Sequence, residues 1–455
     1  MKLNRRHFAG GLTATALAGF AAHGVMAGKN RAAMHPGFGP LKRDPDGLID
    51  LPKDFSYRVI SRFRDRMSDG LRVPDRADGM GCFAMPDGRI ALVRNHELKI
   101  SDYDDGPFGR RVAQRARVYD RTKDGKAVVG GTTTLMLNAD TLDVEREHLS
   151  LVGTIRNCAG GTTPWGSWLS CEEDVTRAGR HVGRDHGWVF EVPAAHEGLV
   201  DPVPLKAMGR FNHEAAAVDP HTGIVYQTED RGDSLFYRFI PDVPGKLAEG
   251  GKLQALAFAD SKADNDSRNW TEEKFRPGSW RFVRWIDMDD VESPKDDLRM
   301  RGAEAGAVLF ARGEGIIHGD GEFYFCCTNG GAEKEGQIMR YRPSRFEGQA
   351  DERSAPGLLQ LFFESTDRRQ FSYGDNLTVA PNGHLIVCED QYRPVVDNHL
   401  RGVTARGEAY DLARIRVQTE PAGACFAPDG KTMFVNLYSP TMTLAISGPW
   451  DRQFS

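Results

Sequence analysis

Short apolar runs recur along the chain, and within many of them apolar and polar residues alternate. A period of two is the pattern of a strand with one buried face. One unit repeats: an apolar run, a turn built on Pro, Asp or Asn with Gly, a second apolar run, then a polar cluster. It runs from Gly79 to Glu97 (turn Pro86-Asp87-Gly88), Asn157 to Glu173 (turn Thr163-Pro164-Trp165-Gly166) and Asn212 to Asp230 (turn Pro220-His221-Thr222-Gly223). It returns from Gly313 to Asn329 (Gly319-Asp320-Gly321), Asp375 to Asp390 (Pro381-Asn382-Gly383) and Gly423 to Ser439 (Pro428-Asp429-Gly430). Proline presets φ, and glycine accepts the positive φ that a tight hairpin needs. The pattern therefore predicts six antiparallel hairpins with no helix between them. The longest insertion, about Asp260 to Arg301, is densely charged and is expected to form surface loops. The fold expected is all-β, a six-bladed β-propeller with loop insertions; a β-sandwich with long loops is the alternative.

Composition sharpens this picture. The chain has 455 residues, 50 of them glycine, about 11% where 7% is usual. Length alone favours about three domains. Glycines concentrated in repeated turns reduce that to one, expected over residues 50–455 behind a linker over residues 28–49. The first 27 residues read as an address. Arg5-Arg6 and Phe8 precede a mildly apolar stretch, and Val25-Met26-Ala27 offers small residues to a signal peptidase. The segment resembles a twin-arginine export signal, which implies the twin-arginine machinery as a partner and a periplasmic or secreted protein. Beyond it no apolar run is long enough for a stable membrane span. With Lys2, Arg5 and Arg6 set aside, the remaining chain is eight charges on the acidic side, so no basic footprint for nucleic acid exists. Seven cysteines without a CxxC spacing exclude a zinc knuckle, and their odd number leaves at least one thiol unpaired.

Candidate chemistry sits where the hairpins open and close, because those positions share one end of each unit. Cys158 to Glu173, Glu214 to Glu229, Glu314 to Asn329 and Asp375 to Asp390 are each fifteen residues apart. So many carboxylates gathered at one end would repel unless cations lay among them. Oxygen donors suit hard cations such as Ca²⁺, whereas a thiolate points to a softer ion such as iron or zinc. Cys158 also has a plainer reading, as a packed thiol or half of a disulfide with Cys171.

The segment Asn157-Cys158-Ala159-Gly160-Gly161-Thr162-Thr163-Pro164-Trp165-Gly166-Ser167-Trp168-Leu169-Ser170-Cys171-Glu172-Glu173 resembles the signature of PhoX-type alkaline phosphatases. Gly209 to Glu214, Tyr226 to Phe239, Asp375-Asn376-Leu377 and Cys388-Glu389-Asp390 extend the likeness. The resemblance implies a six-bladed propeller that hydrolyses phosphomonoesters outside the cytoplasm. It implies a cluster of two Fe³⁺ and three Ca²⁺ ions at the channel mouth, with an oxo bridge and one cysteine ligand. Cys158 matches that cysteine, and Glu97, Glu172, Glu173, Glu214, Glu229, Glu314, Asp375 and Glu389 are the candidate carboxylate ligands. Alternation along the strand means that only one of Glu172 and Glu173 faces the metals, and the sequence leaves open which. Arg94 and Arg231 are candidates to grip phosphate oxygens, with pairing to nearby acids as the plainer reading. Two rival functions stand beside the phosphatase: a calcium-dependent lactonase, which needs no thiolate, and a non-enzymatic propeller that uses calcium for structure.

Overall fold

Every expected hairpin forms. The strand pairs are Ala77–Ala84 with Arg89–His96, Asn157–Thr162 with Ser167–Glu172, and His213–Val218 with Val225–Glu229. The others are Gly313–Gly319 with Glu322–Cys327, Gly374–Val379 with Leu385–Glu389, and Pro421–Phe426 with Thr432–Leu437. The turn glycines Gly88, Gly166, Gly223, Gly321, Gly383 and Gly430 all have positive φ, between +69° and +85°, which is why glycine recurs there. The computed structural model describes residues 37–109, 117–260, 262–391 and 393–454. The expected leader over residues 1–27 lies outside them, as does the first part of the expected linker.

The fold is all-β, but it is not the six-bladed propeller of separate sheets that the repeats predict. Among the described residues the strands form five sheets, of six, three, nine, four and four strands. Four are blade-like. The nine-stranded sheet instead runs from His213–Val218 round to Gly313–Gly319, and these two edge strands pack against each other, so it is nearly closed as a barrel. The cause lies in the charged insertion expected to be loop. Its segment Trp280–Asp287, rich in aromatic and β-branched residues, forms a strand with two pairing edges. One edge takes Gly251–Phe258 and the other Leu358–Glu364, which fuses two hairpin groups into one sheet. The same insertion carries a seven-residue α-helix, Leu298–Glu304.

The first strands of the six hairpins contact one another in cyclic order. Close approach is possible because small residues face the neighbouring backbone: a Cβ on Gly161 would lie 1.9 Å from the Ala216 carbonyl oxygen. One sheet joins early and late parts of the described chain, where Ser56–Arg62 pairs with the last strand, Met442–Ser447. Within the stretch expected as linker, Leu41–Lys42 pairs with Ile49–Pro52, and both extend the six-stranded sheet. Apolar side chains fill the spaces between sheets. Cys326 and Cys327 point into different cores, as alternation requires. No helix among the described residues is long and apolar enough to cross a membrane.

Candidate metal centre

All six first strands carry a β-bulge near their start, at Ala77/Met80, Asn157/Gly160, His213/Ala216, Gly313/Ile316, Gly374/Leu377 and Ala422/Cys425. A bulge adds one residue against the partner strand and re-aims its side chain. In five of them the re-aimed residue is acidic or a thiol followed by a small or amide residue: Asp78-Gly79, Cys158-Ala159, Glu214-Ala215, Glu314-Gly315 and Asp375-Asn376. In the sixth it is Gly423, at φ +61°, where a Cβ would stand 2.3 Å from the Asp78 carbonyl oxygen. No side chain fits there.

The five bulge residues and two closing residues meet in three overlapping groups: Asp78, Glu97 and Cys158; Cys158, Glu173 and Glu214; Glu214, Glu314 and Asp375. Within each group the donor atoms lie within 4.8 Å of one another. Cys158 belongs to the first two groups and Glu214 to the last two. Burial pushes the carboxyl groups of Asp78, Glu173, Glu214, Glu314 and Asp375 well above their usual range, and neighbouring acids push them further. The Cys158 thiol rises for the same two reasons and donates to Asp78 Oδ2 at 3.5 Å. Both Glu214 oxygens and Asp78 Oδ1 are buried without a hydrogen-bond partner among the described residues. Unsatisfied buried carboxylate oxygens are costly in a dry protein and are what a cation would satisfy. The residues present therefore fit a metal, with oxygen donors around one sulfur.

Beyond the cluster a cavity of about 410 Å³ follows the same strands toward their turns, floored by Gly79, Ala159, Ala215 and Gly315.

Six candidate ligands thus come together: Glu97, Cys158, Glu173, Glu214, Glu314 and Asp375. Glu172, Glu229 and Glu389 do not join them. Each sits one residue before the closing position and points into its own sheet. Glu172 accepts from the backbone of Ile155, Gly187 and Trp188 and from His186 Nδ1 at 2.6 Å. Glu229 accepts from the Tyr237 hydroxyl at 3.1 Å, and burial raises its carboxyl to about 8. Glu389 accepts from Ser372 N, His399 N and Arg401 Nε. Arg94 lies fully buried, with Nη2 2.8 Å from Glu147 Oε1 and further bonds to Ser61, Thr133 and Thr443. Arg231 stands 3.7 Å from Asp296. Cys171 is a free buried thiol in a core of apolar side chains, so Cys158 has no disulfide to it.

Sequence reasoning missed Asp78, Arg156 and Arg312, and placed Asp230 and Asp390 at hairpin ends without counting them among the ligands. Asp230 stands beside Glu173, and Asp390 beside Asp375 and Glu420. Arg312 makes two bonds to Asp230, at 2.7 and 3.0 Å, and one to Glu314 Oε1 at 2.9 Å. An acid or thiol followed by Gly, Ala or Asn at the start of each hairpin was the signal for Asp78.

A sequence profile of the family described as Alkaline phosphatase PhoX matches residues 36–441. The structure is similar to that of Pseudomonas fluorescens PhoX in complex with vanadate, a transition state analogue. The likeness has a TM-score of 0.63 at 20% identity, over 88% of this chain and 96% of that one. A gluconolactonase from Xanthomonas campestris matches with a TM-score of 0.41 at 14% identity, over 90% of this chain and 98% of that one. No curated protein matches in sequence. The chain belongs to the PhoX alkaline phosphatase family.

Proposed function

We propose that this protein hydrolyses phosphomonoesters at the buried acid–thiol cluster, and that the cluster holds iron together with calcium. The observation that carries the reading is the placement of one thiol, Cys158, among carboxylates from five hairpins, in a chain of the PhoX family. Carboxylate oxygens alone would suit calcium; the sulfur donor points to a softer ion, iron or zinc, and the likeness to PhoX-type phosphatases favours iron. Metal ions bound there would neutralise phosphoryl oxygens and activate water.

The protein's own residues set the stage for that chemistry. Glu214 and Cys158, each shared by two donor groups, hold neighbouring sites close together. Burial of the cluster keeps bulk water from screening its charges. Arg312 borders the cluster through Glu314 and is itself held by two bonds to Asp230, so it orients those two acids. Arg94 has its charge consumed by Glu147 inside the fold. Export by the twin-arginine route is part of the same proposal, since that route carries proteins folded around their cofactors. A lactonase using calcium alone would leave Cys158 without a task.

The test is Cys158→Ala, assayed on an aryl phosphate. Iron content and hydrolysis should be lost together. Full iron retention with lost activity would contradict the ligand role, and lactone hydrolysis without phosphatase activity would favour the rival.

A further inference from the structure

Two residues before four of the five bulge ligands the backbone has a recurrent conformation. Arg76, Arg156, Arg312 and Tyr373 precede Asp78, Cys158, Glu314 and Asp375, and all four have φ between +49° and +56°. A non-glycine residue in this left-handed region is strained and persists only where its surroundings hold it.

At Arg156 the surroundings are plain. Its amide donates to the carbonyl of Leu98, the residue after Glu97, at 3.0 Å. Its carbonyl accepts from the Glu173 amide at 2.8 Å. Its guanidinium then bonds the side chains of the same two places. Nε donates to Glu97 Oε1 at 2.7 Å, Nη2 to Glu173 Oε2 at 2.5 Å, and Nη1 to the Glu173 carbonyl at 3.1 Å. Glu97 closes the first hairpin and Glu173 the second. They belong to the two donor groups that share Cys158, so the fork spans both sides of the thiol. Other partners complete the hold: the Tyr438 hydroxyl donates to Glu97 Oε2 at 2.6 Å, and Asn212 Nδ2 to Glu173 Oε1 at 2.9 Å. Asn212 stands two residues before Glu214, the same position in the third hairpin.

We propose that Arg156 is a positioning residue that holds Glu97 and Glu173, from two different hairpins, in the geometry in which they ligate metal on either side of Cys158. The inference rests on the metal-centre reading above. Its physical basis is the rigid planar fork, which can bond two carboxylates at once; a lysine ammonium is a single point charge and does not present that shape. Outer partners of this kind typically alter metal affinity by about 10–100-fold.

The experiment uses the full chain, stripped of metal with a chelator and titrated with Ca²⁺ by calorimetry, while iron is measured on the protein as purified. Arg156→Ala should bind calcium at least tenfold more weakly, and millimolar guanidinium ion should restore part of the affinity. Rescue by the missing group is a response that general loosening of the fold would not give. Arg156→Lys keeps a charge for folding and should still bind several-fold more weakly than wild type. Wild-type affinity and iron content in both variants would overturn the proposal, as would wild-type affinity in the lysine variant alone. Failure of wild type itself to take up either metal would instead overturn the metal-centre reading, and the proposal with it.

Discussion

Glu214 is the most exposed to conflict of all the cluster residues, in the energetic sense. It is buried, shared by two donor groups, and neither oxygen has a hydrogen-bond partner among the described residues. Its replacement should therefore have opposite effects on stability and on function. Glu214→Gln is expected to stabilise the metal-free protein at neutral pH by about 1–3 kcal/mol, because the buried carboxyl, held well above its usual range, must otherwise take up a proton on folding. The same variant should lose metal and activity. Thermal unfolding of chelator-treated protein, beside elemental analysis, checks both signs. Six of the nine metal candidates meet in the structure, and the reason for the others is the strand period. In the second hairpin Glu172 and Glu173 point to opposite faces, and Glu173 joins the cluster. In the third hairpin the fifteen-residue spacing points to Glu229, whereas Asp230 is the residue at the end; in the fifth it points to Asp390, and only the family resemblance favours Glu389. The turn of the third hairpin is one residue longer than those of the second and fifth, and a fixed residue spacing does not register that extra residue. Arg156 and Arg312 were hidden for a similar reason: their role follows from a left-handed backbone that arginine seldom adopts.

The hairpins were legible because turn chemistry and alternation agree at every copy. The joining strand Trp280–Asp287 was not, since it lacks a two-residue alternation and its partners lie in two different hairpin groups. It is an element whose loss should be separable from the site. Val283 pairs with Phe258 and donates its amide to the Gly357 carbonyl at 3.0 Å. Val283→Pro removes that donor, with an expected cost of about 3 kcal/mol. Metal content should be unchanged, because the first strands do not depend on this pairing; a denaturation midpoint and an iron assay test the two halves. The loop after the second hairpin carries a pH-sensitive contact. Burial works against a charged ring at His186, but Glu172 and Asp120 outweigh it and raise the imidazole from 6.5 to about 9. A raised folded value means that the stabilisation is complete below about pH 6.5 and is lost as pH rises through 9. Up to about 3 kcal/mol should disappear across that window. His186→Gln should flatten the alkaline side of the stability profile, and an unchanged slope would refute the assignment.

At the scale of the molecule, two charge systems have been kept apart. Inside the sheets, acids are neutralised one by one, as Glu147 is by Arg94 and Glu347 by Arg238. At the cluster they are not, and Arg156 and Arg312 hold only its edges. A protein keeps such an arrangement where ions complete it. Arg94→Met separates the two systems: breaking the buried pair with Glu147 should cost about 3–5 kcal/mol of stability and leave metal binding intact. The central claim is that the thiol and carboxylates of the five bulges hold a mixed metal centre. Quantitative iron and calcium analysis of the wild-type protein, purified from cells that export it, is the direct measurement. The account predicts both metals in defined ratio to the chain. Calcium alone, or no metal at all in an active phosphatase, would contradict it.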